Sequence, residues 1–334
     1  MPGNHPPSHA PALRLPPHVR SLPLRVATRG SPLALVQTRA FLATLRHFCP
    51  VLRAMDVFEE HPIRTTGDRV QDRKLAEIGG KGLFAQEIHD ALIEFRVDFA
   101  VHSLKDLETT LPPGIVLACT LPREDARDVL VLRPGLAIPD PRDPYATLPH
   151  GAVIGTSSVR RQAQMLHVRP DLRMQLMRGN VQTRLDKLAR GDCDATLLAL
   201  AGLRRLGVEA AASVIIDPDI MVPSAGQGIV GVTIRESDTA LCQMLAGIED
   251  AQAKAVSTAE RALLAVLDGS CNTPIGGHAR MLPDGTLTLT GLVASIDGSF
   301  LLKRTLAGPA AEAARIGEAL GASLRADCPA AVFA

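Results

Sequence analysis

Short apolar runs that end in polar residues and lead into amphipathic segments recur along this chain, and this alternation constrains the fold most strongly. The first run, 24–28, ends at Arg29, and the segment 33–48 that follows has helical periodicity with Ser31 as its N-cap. Similar strand-like runs occupy 98–102, 153–155, 173–177 and 195–199. The alternation predicts βαβ units, parallel sheets and an α/β fold class, in which polar ligands bind at the carboxyl ends of strands.

The two ends of the chain depart from this pattern. Residues 1–22 are rich in Pro and His and lack the apolar stretch of a signal peptide, so we expect a disordered extension. The segment 250–267 has a helical pattern, and 286–293 alternates like an edge-exposed strand. Together these two segments predict a separate small α+β domain over 250–334.

The composition argues against several classes of function. The formal net charge is +1 and aromatic residues make up 3%, whereas a dedicated nucleic-acid binder usually carries a basic excess or aromatic stacking platforms. No apolar run reaches 18 residues, so no transmembrane helix is expected. The six cysteines lie at least 29 residues apart, which leaves no CxxC pair for a metal and favours reduced thiols in the cytoplasm.

A hydroxyl-rich turn after the run 153–155 opens a helix that carries two arginines in its first turn. The residues concerned are Thr156, Ser157, Ser158, Arg160 and Arg161. Free backbone N–H groups and the helix dipole attract anions at such a turn, and arginine binds carboxylates through two parallel hydrogen bonds. Because the dipole disfavours arginine at a helix start, we favour a bound anion over the alternative, a capped helix with a solvated arginine pair.

Further cations follow other strand-like runs. Arg178 and Gly179 come at a strand end, and Arg184 lies one turn into the next predicted helix. With Arg29 and Arg205 they predict a cleft lined by cations, which a polycarboxylate ligand would require. Each of these arginines taken alone is a weak signal.

Two other segments could carry chemistry. The run that ends at Ser103 is followed by Lys105 and Asp106, and this carboxylate could stabilise positive charge in a ligand or shuttle protons. The alternative for Asp106 is a salt bridge to Lys105 or a helix cap. Cys271 lies in a glycine-containing turn after a helical segment, where it is either a reactive thiol or a small buried hydrophobe.

Eight motifs occur in the order found in porphobilinogen deaminases, and residues 24–305 resemble that family. The motifs occupy 27–34 (ATRGSPLA), 79–84 (GGKGLF), 101–106 (VHSLKD), 155–161 (GTSSVRR), 178–181 (RGNV), 200–203 (LAGL), 226–228 (GQG) and 269–276 (GSCNTPIG). Each motif alone is only modestly specific for the family, whereas the set of eight in this order is highly specific.

The resemblance implies a three-domain α/β fold. Two domains are expected to resemble the lobes of type II periplasmic binding proteins, with the chain crossing between them twice. The first would comprise 24–122 and 224–246, and the second 123–223. The third, over 247–334, would be a small α+β domain that carries the cofactor.

The resemblance also implies an activity in porphyrin and heme biosynthesis. Family members are transferases that deaminate four porphobilinogen molecules and join them head to tail into hydroxymethylbilane, extending a covalent dipyrromethane primer. Cys271 matches the cysteine that holds this cofactor through a thioether, and Asp106 matches the catalytic aspartate. The cofactor- and substrate-binding positions would be Arg29, Ser31, Lys81, Ser103, Lys105, Thr156, Ser157, Ser158, Arg160, Arg161, Arg178, Gly179, Arg184, Arg205 and Gln227.

Three residues depart from the family pattern, and two other functions compete with the enzyme. Glu77 stands where some members carry Lys, Glu108 replaces a common Pro, and Ser270 replaces a Gly before the cysteine. A non-catalytic solute-binding protein of the same shape would need an export signal, and a regulatory effector-binding domain would normally bring a helix-turn-helix. We therefore expect a cytoplasmic monomer that takes porphobilinogen as substrate, without metal, nucleic acid or membrane.

Overall fold

The computed structural model describes residues 22–53, 57–70, 82–267 and 273–333. Lys81 and Cys271 lie outside these ranges, as do Glu77, Ser270 and all but the last residue of the extension predicted over 1–22. None of the helices within these ranges is long and apolar enough to cross a membrane.

The described part of the chain contains strands and helices in alternation. Its strands are β1 (Leu24–Arg29), β2 (Phe58–Ile63), β3 (Phe99–Ser103), β4 (Ile115–Thr120), β5 (Asp128–Leu132), β6 (Val153–Thr156), β7 (Arg173–Leu176), β8 (Ala195–Ala199), β9 (Val214–Ile215), β10 (Val230–Arg235), β11 (Ile275–Met281), β12 (Thr286–Ala294) and β13 (Leu301–Pro309). Its α-helices are α1 (Pro32–Phe48), α2 (Thr66–Arg69), α3 (Gln86–Ile93), α4 (Val159–Val168), α5 (Val181–Ala189), α6 (Leu200–Arg205), α7 (Thr239–Ala246), α8 (Ala251–Val266) and α9 (Ala313–Asp327).

Side-chain caps set the start of the helices that follow the predicted turns. Ser31 accepts a hydrogen bond from the backbone N–H of Ala34 at the start of α1, and Pro32 occupies the first turn. Ser158 caps α4 and Asn180 caps α5 in the same way. The sequence therefore predicted these helix starts correctly, because the capping signal is local.

The strands form two five-stranded sheets and one three-stranded sheet. The first sheet has the order β2-β1-β3-β10-β4, the second β7-β6-β8-β5-β9 and the third β11-β12-β13. Two sheet-containing α/β lobes and a small C-terminal α+β domain thus confirm the predicted fold class.

The first two sheets are mixed, whereas the sequence pattern predicted parallel ones. β1 pairs in parallel with β2 and β3, but β10 runs antiparallel to β3 and β4. In the second sheet β5 runs antiparallel to β8 and β9. β5 is the first strand after the chain passes from the first sheet to the second, and β10 is the first strand after it returns. Neither strand is connected by a crossover helix to a preceding strand of its own sheet.

The third sheet corrects a second expectation. β12 was predicted as an edge-exposed strand, yet it pairs with β11 on one side and β13 on the other. Its alternating pattern arises because one face, with Leu287 and Leu289, packs against α8 and α9, while Thr288 and Thr290 alternate on the opposite face. Alternation reports one buried face and does not distinguish a central strand from an edge strand.

Candidate active site

The carboxyl ends of β1 and β3 meet at one edge of the first sheet and line a pocket. Because these strands are parallel neighbours, the turns that follow them lie side by side. The lining residues are Arg29, Ser31, Leu33, Ala34, Phe84, Val101, His102, Ser103, Lys105 and Asp106. Five of the positions predicted from the sequence (Arg29, Ser31, Ser103, Lys105 and Asp106) therefore share one pocket.

Arg29 connects two carboxylates in this pocket. Its Nη1 lies 3.1 Å from Oδ2 of Asp106, and its Nε and Nη2 donate to the carboxylate of Asp68. The guanidinium also lies 4.3 Å from the centre of the Phe84 ring, within the range of a cation–π contact. Asp106 keeps a side chain that is 30% exposed, so the carboxylate faces the pocket while Arg29 fixes its position.

Lys105 projects into the open cleft beside Asp106. Its Nζ lies 3.3 Å from Oε1 of Gln227, a residue that is itself buried. Although the lysine side chain is accessible to solvent, surrounding protein removes much of its hydration and lowers its pKa to about 8, with the charge of Arg161 acting in the same direction. Asp106 opposes this shift.

A buried carboxylate, Asp128, lies at the start of the second lobe and binds two of the predicted arginines. Nη1 of Arg160 lies 2.7 Å from Oδ2 of Asp128, and Nη2 of Arg161 lies 2.8 Å from Oδ1. Burial raises the pKa of Asp128, but the two guanidiniums outweigh this and hold it below its usual range. Nε2 of Gln227 also donates to Oδ1, at 2.9 Å.

The sequence interpretation missed Asp128, and its role changes the meaning of the arginine pair. Both arginines are about 95% buried and also donate to backbone carbonyls, Arg160 to Val222 and Arg161 to Leu197. The chain thus supplies its own anion at this helix start. A charged residue at the head of the apolar run 128–132 was the one signal in the sequence that could have indicated it.

Three hydroxyl groups surround the start of α4. The backbone N–H of Ser158 donates to Oγ1 of Thr156, and Oγ of Ser158 accepts from the backbone N–H of Arg161. Thr156 is buried, whereas Ser157 and Ser158 are partly exposed. The capping alternative therefore accounts for Ser158 and leaves room for a ligand at Ser157.

The remaining predicted arginines lie along the boundary between the lobes. Arg178 reaches from the second lobe to the first, where its Nη2 donates to the backbone carbonyl of Gly67 at 2.9 Å. Arg184 donates to the carbonyl of Gly179, and Arg205 donates to the carbonyl of Gly228 beside Gln227. Gly179 has a φ of +117°, which favours glycine at this turn.

Cations in this cleft lower one another's affinity for protons. Burial, together with the charges of Arg161 and Arg178, lowers the pKa of Arg184 to about 10, and Arg161 acts on Lys105 in the same direction. Asp106 is the anion that opposes both shifts. Such mutual repulsion means that a polyanionic ligand would be bound favourably, and this fits a group that carries several carboxylates.

The C-terminal domain is joined to both lobes next to this cleft. Glu260 on α8 is fully buried, and its carboxylate accepts from Arg123 and from the backbone N–H groups of Gly226 and Ala279. The start of β11 lies against the inter-lobe segment, because the backbone N–H of Gly277 donates to the carbonyl of Pro223. The sequence interpretation did not identify Arg123 or Glu260.

Solved structures with low similarity include periplasmic binding domains. The Bordetella pertussis BvgS periplasmic VFT2 domain gives a TM-score of 0.40 at 15% identity, covering 67% of this chain and 86% of that one. The periplasmic sulfonate-binding protein SsuA from Methylobacillus flagellatus KT gives 0.38 at 15% identity, covering 73% and 68%. TM-scores this low do not establish a shared fold.

Curated relatives match almost the whole chain. The porphobilinogen deaminase of Paracoccus denitrificans is 48% identical over 314 residues, which cover 93% of this chain and 96% of the relative. The chloroplastic porphobilinogen deaminase of Oryza sativa subsp. japonica is 44% identical over 286 residues, covering 86% and 78%.

Two family models match consecutive parts of the chain. The model described as "Porphobilinogen deaminase, dipyromethane cofactor binding domain" matches 24–243, a range that contains the cation-lined cleft. The model described as "Porphobilinogen deaminase, C-terminal domain" matches 254–326, a range that contains Cys271. Since the first match covers more than half of the chain and the curated relatives agree, the chain belongs to the porphobilinogen deaminase family.

Proposed function

We propose that the cleft between the two lobes is where this enzyme deaminates porphobilinogen and joins four units head to tail into hydroxymethylbilane. The observation that carries this location is Asp106, a partly exposed carboxylate held by Arg29 and surrounded by a cluster of cations. Each pyrrole unit brings an acetate and a propionate, so the product chain is strongly anionic. Incubation with porphobilinogen should release one ammonia per unit joined and yield the linear tetrapyrrole.

Asp106 is the proposed catalytic residue. Loss of ammonia from porphobilinogen breaks a C–N bond and leaves positive charge on the pyrrole. Formation of the new C–C bond moves that charge to the attacking ring, which becomes neutral again when its α-carbon loses a proton to solvent. A fixed carboxylate stabilises that charge more in the transition state than in the ground state. Arg29 keeps the carboxylate in place through its Nη1, while Asp68 anchors the other side of the guanidinium.

The remaining cleft residues are proposed to bind the carboxylates of the cofactor and of the growing chain. The accessible cations among them are Lys105 and the partly exposed Arg184 and Arg205, and Ser157 offers a partly exposed hydroxyl. Arg160, Arg161 and Arg178 are buried and bound within the protein, so they contribute chiefly through their positive charge. Ser31, Ser103, Thr156, Ser158, Gly179 and Gln227 shape these turns, and Lys81 keeps its proposed binding role.

Cys271 is the proposed attachment residue for the dipyrromethane cofactor, which supplies the pyrrole carbon to which the first unit is joined. We expect Cys271→Ala to lack the cofactor mass increment in the intact mass spectrum and to be inactive. Loss of a many-contact ligand should also lower its melting temperature. Cys242→Ala, at an exposed thiol on α7, is the control and should keep the adduct. An adduct that persists in Cys271→Ala would show attachment at another residue.

Lys105 should give the enzyme an alkaline limit. Its amine carries positive charge below its pKa of about 8 and loses that charge as the pH rises through this value. Because kcat/KM reports groups of the free enzyme, kcat/KM should fall above pH 8. Lys105→Arg keeps the charge across this range, so its profile should stay flat there. An unchanged alkaline limb in Lys105→Arg would show that another group titrates.

We further propose the domain division 24–122 with 224–246, 123–223 and 247–334, and a monomer that works in the cytoplasm without nucleic acid or membrane. Sheet membership supports the division, since β10 lies between β3 and β4 although more than 100 residues separate it from either strand.

The melting temperature of protein lacking residues 1–20 should equal that of the full chain, because the removed segment has no apolar periodicity. A large fall in the melting temperature would show that this segment packs against the folded domains.

A further inference from the structure

Glu108, two residues after Asp106, directs its side chain into the protein. The carboxylate is 12% exposed, and its Oε1 lies 3.3 Å from Nδ1 of His89, which is 1% exposed on α3. Among the described residues, neither ring nitrogen of His89 has a well-aligned hydrogen-bond partner. The Glu108 carboxylate contacts Nδ1, and the ring centre of His102 lies 5.7 Å from that of His89. Such an arrangement is costly to bury unless the two side chains compensate each other.

The backbone of the same residue is held by the C-terminal domain. Nη2 of Arg261, on α8 of the C-terminal domain, donates to the carbonyl of Glu108 at 2.8 Å and to that of Thr109 at 2.9 Å. Leu104 and Leu107, which flank Lys105 and Asp106, belong to the hydrophobic cluster that includes α8. Glu108 is thus tied to the first lobe through its side chain and to the C-terminal domain through its backbone.

The Glu108 carboxylate also lies directly against Gly82. A Cβ atom on Gly82 would come within 2.9 Å of Oε1 of Glu108, and its φ of +80° already favours glycine. The carbonyl of Gly82 accepts from the backbone N–H groups of Ala85 and Gln86, which begin α3. Glu108 therefore packs where the chain enters α3, immediately after Lys81.

On the C-terminal side of Asp106, the chain is held by the packing of Leu107 in the hydrophobic cluster that includes α8. Asp106 ends a three-residue 3-10 helix, Leu104–Asp106, and the residue that follows is already extended. The N-terminal side is fixed by β3 and by the hydrogen bond from the N–H of Leu104 to the carbonyl of Ile229. The contacts of Glu108 are the first polar side-chain contacts on the other side.

We propose that Glu108 and His89 are positioning residues, which together hold Asp106 and Gly82 in a fixed position relative to the C-terminal domain. The pair does not touch the reacting atoms and acts through the backbone of 106–108. This inference rests on the proposed role of Asp106. Burial has the largest effect on the pKa of Glu108 and raises it, but the contact with His89, a backbone hydrogen bond and the charge of Arg261 together hold the pKa below its usual value. The carboxylate that makes the contact is therefore ionised at neutral pH.

The test compares holoenzyme variants by kcat and KM for porphobilinogen, counted per cofactor-bearing chain. Glu108→Ala should lower kcat on the order of tenfold with KM nearly unchanged, because a slightly displaced catalytic group slows the chemical step more than binding. Glu108→Gln keeps an acceptor for His89 and should recover part of the loss. Glu94→Ala, which removes an exposed carboxylate after the same helix, is the control and should match the unmodified protein.

A double variant tests the pair itself. If the two residues act as one device, His89→Gln combined with Glu108→Ala should be no slower than Glu108→Ala alone. A purely structural role would lower the melting temperature and leave kcat per cofactor-bearing chain equal to that of Glu94→Ala, which would overturn the inference. Additive losses in the double variant would also overturn it. Full turnover in Asp106→Asn would instead overturn the assignment of Asp106.

Discussion

Asp106→Asn should lower turnover by at least about a hundredfold, the scale of a lost electrostatic or acid–base group at a reacting centre. Asparagine keeps the shape of the side chain and removes only its charge. The measurement is single-turnover pyrrole addition by protein that already carries its cofactor, so that a defect in cofactor assembly is not mistaken for a defect in catalysis. Asp106→Glu, which restores the charge at a slightly different position, should be less impaired.

Asp68→Asn provides a matched control for this prediction. Asp68 and Asp106 are both ion partners of Arg29, so either substitution removes one carboxylate from the same guanidinium. If the loss in Asp106→Asn came only from releasing Arg29, Asp68→Asn should be equally slow. We expect Asp68→Asn to be much faster than Asp106→Asn, and near-normal pyrrole addition by Asp106→Asn would rule out its catalytic role.

Asp128→Asn should lower the free energy of unfolding by about 3–5 kcal/mol, the usual cost of removing one partner from a buried ion pair. Asp128 is completely buried, and two buried guanidiniums, those of Arg160 and Arg161, would lose their counter-charge. The amide keeps one acceptor oxygen but turns the other into a donor that faces a guanidinium or the Gln227 amide, so the effect combines the lost charge with a lost hydrogen bond. Urea unfolding followed by circular dichroism measures it.

Asp192→Asn is the surface control for that experiment. Asp192 pairs with Arg190, but both side chains are largely exposed, and such pairs contribute about 0–1 kcal/mol. A change in Asp128→Asn as small as that in Asp192→Asn would show that the buried arginines do not depend on Asp128.

The arginine pair shows how an inference from sequence changes when the packing is known. Two arginines in the first turn of a helix indicated an anion, and an anion is present at that place. It is the side chain of Asp128, which lies about 30 residues earlier in the sequence, at the start of strand β5. Replacing Arg160 or Arg161 with leucine would therefore lower the stability of the second lobe and also weaken the binding of any ligand.

Local signals were sufficient for the elements and for the family. The strand Ala195–Ala199 has the bounds that the sequence predicts, and the predicted helix that contains Arg184 is present as Val181–Ala189. A cap such as Asn180 and the period of apolar residues act within a few residues. The ordered motifs were also sufficient for the family, and the candidate site residues within them follow strand ends that the sequence itself marks.

Only the tertiary structure decided which charges meet and which strands pair. The position of β10 between β3 and β4, the central place of β12 and the contacts of Asp128, Glu260 and Glu108 all join residues from different elements. Periodicity describes which face of an element is buried and carries no information about the partner that buries it. The sequence alone thus determined the α/β lobes and the candidate residues, whereas long-range packing determined which of those residues face the cleft and which are bound inside the protein.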